Sequence, residues 1–144
     1  MNKEINFDMD GTIADFYGVE GWLDDLIAQN PRPYAEAKPL VDMEQLAKEL
    51  NRLQRKGYKV KIISWLSKTS TADFDKKVIE TKIAWLGENI KGVKWDKVDI
   101  VAYGTPKSRL GKGIIFDDEA NNRNEWGEGA YEPKDIFKVL GGLK

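Results

Sequence analysis

The chain has 144 residues, 41% hydrophobic and 33% charged, a balance that fits one folded domain with a real core rather than a disordered segment. Its 23 lysines and arginines against 24 acids leave a net charge of −1, which argues against an extended nucleic-acid surface. It has no cysteine and no histidine, which excludes disulfides, thiolate nucleophiles, zinc–sulfur centres and imidazole acid–base chemistry.

Taken in chain order, strands alternate with helices. Lys3–Asp8 reads as a short strand that ends at an acidic cluster, "FDMDGT". Residues 17–39 follow it and are too long for a plain connection. They hold a short helical stretch, "VEGWLDDLIAQN", and a stiff "NPRPY" turn, and are expected to form a small cap within a single domain spanning 1–144. Val41–Lys56 repeats Met43, Leu46, Ala47, Leu50 and Leu53 at helical spacing, with Asp42 as N-cap and Gly57 as stop. "YKVKIIS" (58–64) is a strand. Thr71–Ile90 is a long amphipathic helix whose core stripe is expected to include Phe74, Val78, Ile79, Ile83, Trp85 and Leu86. "VDIVAY" (98–103), "GIIFD" (113–117) and a short piece at 129–131 complete the strands, and Pro133–Leu140 closes the chain as a helix. This alternation predicts an α/β fold: a Rossmann-like three-layer sandwich with a mostly parallel sheet and a small cap insertion after the first strand.

In such sheets the ligand site lies beyond the carboxyl ends of the strands. That rule places Asp8, Asp10, Ser64, Thr105–Lys107, Asp117 and Asp118 along one rim. With thiol and imidazole absent, catalysis would fall to carboxylates, lysine, hydroxyls and a hard metal ion. A carboxylate is ionised at neutral pH and can attack phosphorus without a base to activate it. Asp8, at the strand end, is the natural nucleophile. Two carboxylates as close as Asp8 and Asp10 resist joint ionisation, so Asp10 suits the role of proton carrier. Mg²⁺ prefers an all-oxygen donor set and fits this rim. Ser64 can bond a phosphoryl oxygen, Lys107 can neutralise the phosphate and pin Asp8, and Thr12 can help hold Asp10.

Each motif also has a plainer meaning. Acidic turns and strand-end hydroxyls are common, and Lys112, Lys68 and Arg123 compete with Lys107 for the cationic role. Phe16, Tyr17, Trp22, Tyr34 and Trp65 either stack on a substrate ring or form the cap's own core.

The apolar strand followed by "FDMDGT", then "IIS", Lys107 and "IFDDE" in that order, resembles the haloacid dehalogenase superfamily of phosphotransferases. "DMDGTIADF", the "AWLGENI" helix end and the separation of Lys107 from Asp117 resemble its 5′(3′)-deoxyribonucleotidase branch, although the insertion here is shorter. The resemblance implies catalytic Asp8, Asp10, Ser64 and Lys107. It also implies a Mg²⁺ site made of Asp8, the Asp10 carbonyl and the Asp117/Asp118 pair, and leaves open which of those two binds directly. Substrate contacts would come from Thr12, Phe16, Trp65 and Lys68.

The expected activity is phosphomonoester hydrolysis through an aspartyl-phosphate, on a small molecule such as a 5′-(deoxy)nucleotide. Nucleic-acid 3′-phosphate ends are the alternative substrate, and a receiver-like phospho-acceptor domain is the alternative of another class. No apolar run reaches the ~18 residues that span a bilayer, and MNKEINF is no signal peptide, so a cytoplasmic protein without a membrane partner is expected.

Overall fold

Five short apolar strands run parallel and build the centre of the molecule, described for residues 2–144 by a computed structural model. Glu4–Phe7 (β1) is the middle strand, with Ile5 and Phe7 fully buried. It pairs with Lys59–Trp65 (β4) on one side, in register Ile5 with Val60 and Phe7 with Ile62, and with Ile114–Phe116 (β6) on the other. Lys97–Val101 (β5) extends the sheet beyond β4, and Ala130–Tyr131 (β7) extends it beyond β6. The strand order is therefore β5-β4-β1-β6-β7. The chain works outward from β1 on one side and then crosses to the other, so β1 and β6 flank the point where the order reverses. Ligands of open α/β sheets bind at such a point.

The helices cover the sheet as their periodicity predicts. Met43–Arg55 (α3) buries Leu46, Leu50 and Leu53 against it, and Asp42 caps the helix by accepting from the Gln45 N–H at 3.0 Å. Ala72–Asn89 (α4) starts at Thr71, whose hydroxyl accepts from the Phe74 N–H. Its buried stripe is Phe74, Val78, Lys82, Trp85 and Leu86, whereas Ile83 is 52% exposed. The spacing of four, four and three residues explains both departures from expectation: Lys82 lies on the stripe and Ile83 lies beside it. Ala120–Trp126 (α5) and Ile136–Gly142 (α6) complete the helical layers, the latter after a 3-10 turn over Pro133–Asp135.

Residues 17–39 fold over the rim. The stem is a two-stranded antiparallel pair, Ala14–Asp15 (β2) with Lys38–Pro39 (β3). Between them stand a 3-10 turn at Phe16–Gly18 and two helices, Trp22–Ile27 (α1) and Arg32–Glu36 (α2). "NPRPY", read from sequence as a turn, opens α2 instead: proline's fixed φ suits a helical first turn as well as a bend. This segment is tied to α4. Trp85 Nε1 donates to the Ala37 carbonyl at 2.7 Å, and Thr71 Oγ1 bonds Gln29 Oε1 at 3.0 Å. Phe16 and Tyr34 form a small second core with Phe74 and Val78 of α4.

Candidate active site

After Phe7 the chain leaves β1 in a tight loop held from within. The N–H groups of Thr12, Ile13 and Ala14 all converge on the Met9 carbonyl, and Gly11 N–H donates to the Ala14 carbonyl at 2.8 Å. Met9 and Ile13 anchor the loop in the core, which frees Asp8 and Asp10 to face the rim. Gly11 has φ +83°, and a Cβ there would come within 2.3 Å of Asp118 Oδ2. Glycine at this position thus serves both the turn and the approach of a carboxylate from β6.

Asp8 is buried and held at both oxygens. Oδ1 accepts from Lys107 Nζ at 2.9 Å, and Oδ2 lies 3.0 Å from Thr12 Oγ1. Lys107, 2% exposed, also donates to Asp117 Oδ2 at 2.8 Å. One ammonium therefore bridges carboxylates from two neighbouring strand ends. Burial opposes the charge on Lys107, but Asp8 and Asp117 hold it protonated, with its pKa above the ordinary lysine value.

Asp117 is fully buried and has its oxygens engaged by Lys107, by the Glu119 N–H at 3.0 Å and by Asn122 Nδ2 at 3.2 Å. Asp118 is more open, with Oδ1 3.1 Å from Thr12 Oγ1. Burial and the Asp8 carboxylate raise the pKa of both, Asp118 to about 8. Carboxyls crowded enough to hold their protons above the ordinary carboxylate range form a site that a cation would relieve. Oxygens of Asp8, Asp117 and Asp118 lie within 4.8 Å of one another. An all-carboxylate donor set of this compactness fits a hard divalent ion such as Mg²⁺. Thr12 differs from expectation: its hydroxyl serves Asp8 and Asp118, not Asp10.

The partner of Asp10 is Lys82, which donates to Asp10 Oδ2 at 3.0 Å. Burial raises the Asp10 pKa; Lys82 lowers it and Asp8 raises it further, and the net direction is upward. Ser64, fully buried near the end of β4, accepts from the same ammonium at 2.7 Å. Lys82 and Asn122 are the site-forming residues that motif reading missed. Lys82 was detectable, because a lysine at a stripe position between Val78 and Trp85 is a buried cation in need of a partner. Asn122 carried no such signal. Of the rival cations, Arg123 donates to the Asp117 carbonyl at 2.9 Å.

Beyond these groups opens a cleft of about 380 Å³. Asp8, Asp10, Lys107 and Asn122 line it together with Phe16, Tyr34, Trp65, Leu23, Tyr103 and Lys68. Trp65 is fixed by its Nε1 donating to the Thr105 carbonyl at 2.9 Å, and it stacks obliquely on Tyr103. Phe16 packs on Tyr34 at 4.5 Å. The two readings of these aromatics merge: Phe16 and Tyr34 pack in a small core and also line the cleft.

The chain matches no protein-family model and no curated protein. Among solved structures, it is similar to the D,D-heptose 1,7-bisphosphate phosphatase of Burkholderia thailandensis, with a TM-score of 0.53 and 16% identity over 99% of this chain and 88% of that one. The likeness places the chain in the Rossmann-like α/β fold with a mostly parallel, helix-flanked sheet. No helix among the described residues is long and apolar enough to cross a membrane.

Proposed function

We propose that the protein is a Mg²⁺-dependent phosphomonoester hydrolase of the haloacid dehalogenase type, working through an aspartyl-phosphate on Asp8. One observation carries this reading: Lys107 bridges Asp8 and Asp117 at the rim, with Asp118 completing a compact carboxylate triad beside them. The similar solved structure is named as a phosphatase, which agrees with the proposal.

Asp8, the Asp10 carbonyl and the Asp117/Asp118 pair would hold the ion, with Asp118 the more open of the two because Asp117 accepts from Lys107, Asn122 and a backbone N–H. When bound, the ion supplies positive charge that lets an anion approach a phosphate dianion. The remaining work belongs to the chain. An Asp8 oxygen bonds to phosphorus while the ester P–O bond breaks, and Asp10 gives its proton to the departing oxygen. Water then attacks phosphorus and transfers a proton to Asp10, and the Asp8–phosphorus bond breaks. Lys107 offsets charge on Asp8 and the phosphoryl group, and Ser64 donates to a phosphoryl oxygen.

The apolar, aromatic wall of the cleft favours a leaving group with a flat ring over a bare sugar, so we propose a 5′-(deoxy)nucleotide as the substrate class. Segment 17–39 acts as the cap, with Phe16, Trp65 and Lys68 contacting the substrate. Phosphate release should be measured with and without Mg²⁺ for nucleoside monophosphates, sugar phosphates and 3′-phosphorylated oligonucleotides. Mg²⁺-dependent turnover that is fastest on nucleoside 5′-monophosphates is expected. Preference for oligonucleotide ends would move the substrate class, and stoichiometric phosphorylation without turnover would point to a phospho-acceptor domain.

A further inference from the structure

Lys82 is 1% exposed, midway along α4, and none of the steps above uses it. A buried ammonium is costly unless it is both paired and hydrogen-bonded. Here each of its three protons has an acceptor: Asp10 Oδ2 at 3.0 Å, Ser64 Oγ at 2.7 Å and the Trp65 carbonyl at 2.8 Å. The charge also stands 4.9 Å from the Tyr34 ring centroid, on α2 of the cap. This one nitrogen touches the groups assigned to proton transfer and phosphoryl contact, and reaches a ring of the substrate cleft.

The direction of the Ser64 bond matters most. An ammonium can only donate, so Ser64 Oγ is the acceptor and its own proton is left over. Among the described residues Ser64 donates that proton to nothing. A buried hydroxyl that already accepts one bond and has its own proton free is set to act as a donor. In the same way, Lys82 holds one oxygen of Asp10 and leaves the other free to carry a proton.

We infer that Lys82 is a positioning residue that aims the Ser64 hydroxyl proton at a phosphoryl oxygen and locks Asp10 toward the leaving group. The inference rests on the phosphatase reading and adds to it a residue that touches no reacting atom. Because Lys82 acts on geometry and not on substrate contact, its loss should lower kcat and leave KM nearly unchanged.

The test is a double-mutant cycle on Mg²⁺-dependent hydrolysis of p-nitrophenyl phosphate and of an alkyl phosphate ester, whose leaving group needs the Asp10 proton, with thermal unfolding recorded for each variant. Lys82→Met keeps the length of the side chain and removes its donors. We expect kcat to fall by about thirtyfold or more with KM within about threefold, and Ser64→Ala to cost little more in that background, because the two residues act as a unit. Multiplicative losses from Lys82→Met and Ser64→Ala would overturn the coupling. A folded Lys82→Met with wild-type kcat would reduce Lys82 to a structural cation.

Should Lys82→Met not fold, Lys82→Arg carries the test, since it keeps a cation beside Asp10. A planar guanidinium cannot serve the same three acceptors, so it should fold and remain slow. Wild-type turnover with arginine would overturn the inference. No hydrolysis by the wild-type protein would instead sink the phosphatase reading itself, and this inference with it.

Discussion

At the scale of single residues, the site is a problem in crowding solved by two lysines. Lys107 is shared between Asp8 and Asp117 and offsets one of their two charges, and Lys82 pairs with Asp10. The motif "DMDGT" made Asp8, Asp10 and the need for Gly11 readable, since a carboxylate pair followed by glycine demands both positive charge and a tight turn. The role of Thr12 was less visible, because its partner Asp118 lies 106 positions away in sequence. Gly11 gives the sharpest residue-scale prediction. Gly11→Ala would strain a left-handed backbone, at a cost of about 1–2 kcal/mol, and push its Cβ into Asp118. Mg²⁺ affinity should fall by about tenfold or more, read by calorimetry on the folded variant, because a ligand misplaced by an ångström loses its geometry. Native affinity would show that Asp118 does not hold the ion.

At the scale of elements, α4 joins the sheet, segment 17–39 and the candidate site. It packs Trp85 under the Ala37 carbonyl, Phe74 under Phe16 and Tyr34, and Lys82 into the site. Its extent over 71–90 was legible from the apolar spacing, whereas the Thr71 cap that starts it is seen in the structure. Its inner face was only partly so, because counting apolar residues admits Ile83 and passes over Lys82, while the 3.6-residue period does the opposite. In the cap, "NPRPY" was ambiguous for a local reason: proline suits both a turn and a helix start, and only the packing of Tyr34 on Phe16 decides. Phe74→Ala tests the link between helix and cap. It should destabilise the protein by about 3 kcal/mol in denaturant unfolding and raise KM through a loosened Phe16–Tyr34 pair. A large loss of stability with unchanged KM would separate the cap's core from substrate binding.

At the scale of the whole molecule, the strand order explains why residues distant in sequence meet. Alternation of strand and helix predicts parallel strands and a rim at their carboxyl ends, but not which strands are neighbours. The order β5-β4-β1-β6-β7 sets Asp8 beside Asp117 and Asp118 on one side and Ser64 on the other. That convergence has a cost readable in stability. Without metal, Asp117 and Asp118 keep protons that the unfolded chain has lost, Asp118 up to about 8. The folded state then binds more protons than the unfolded state, so stability falls as pH rises from the ordinary carboxylate range toward about 8. If the site takes Mg²⁺ as proposed, the ion would bind its ionised, folded form and should restore stability most at the alkaline end. Urea unfolding at several pH values, with and without Mg²⁺, checks the sign; a metal-free protein that gains stability over that interval would contradict it.

The most direct measurement traps the covalent step. Turnover of p-nitrophenyl phosphate with Mg²⁺ is quenched with borohydride, which reduces an acyl phosphate to an alcohol, and the peptide spanning residues 4–16 is sequenced by mass spectrometry. The account predicts homoserine at position 8 and an intact Asp10. Phosphate release with position 8 unaltered under conditions that reduce a control acyl phosphate, or reduction at another carboxylate, would contradict it.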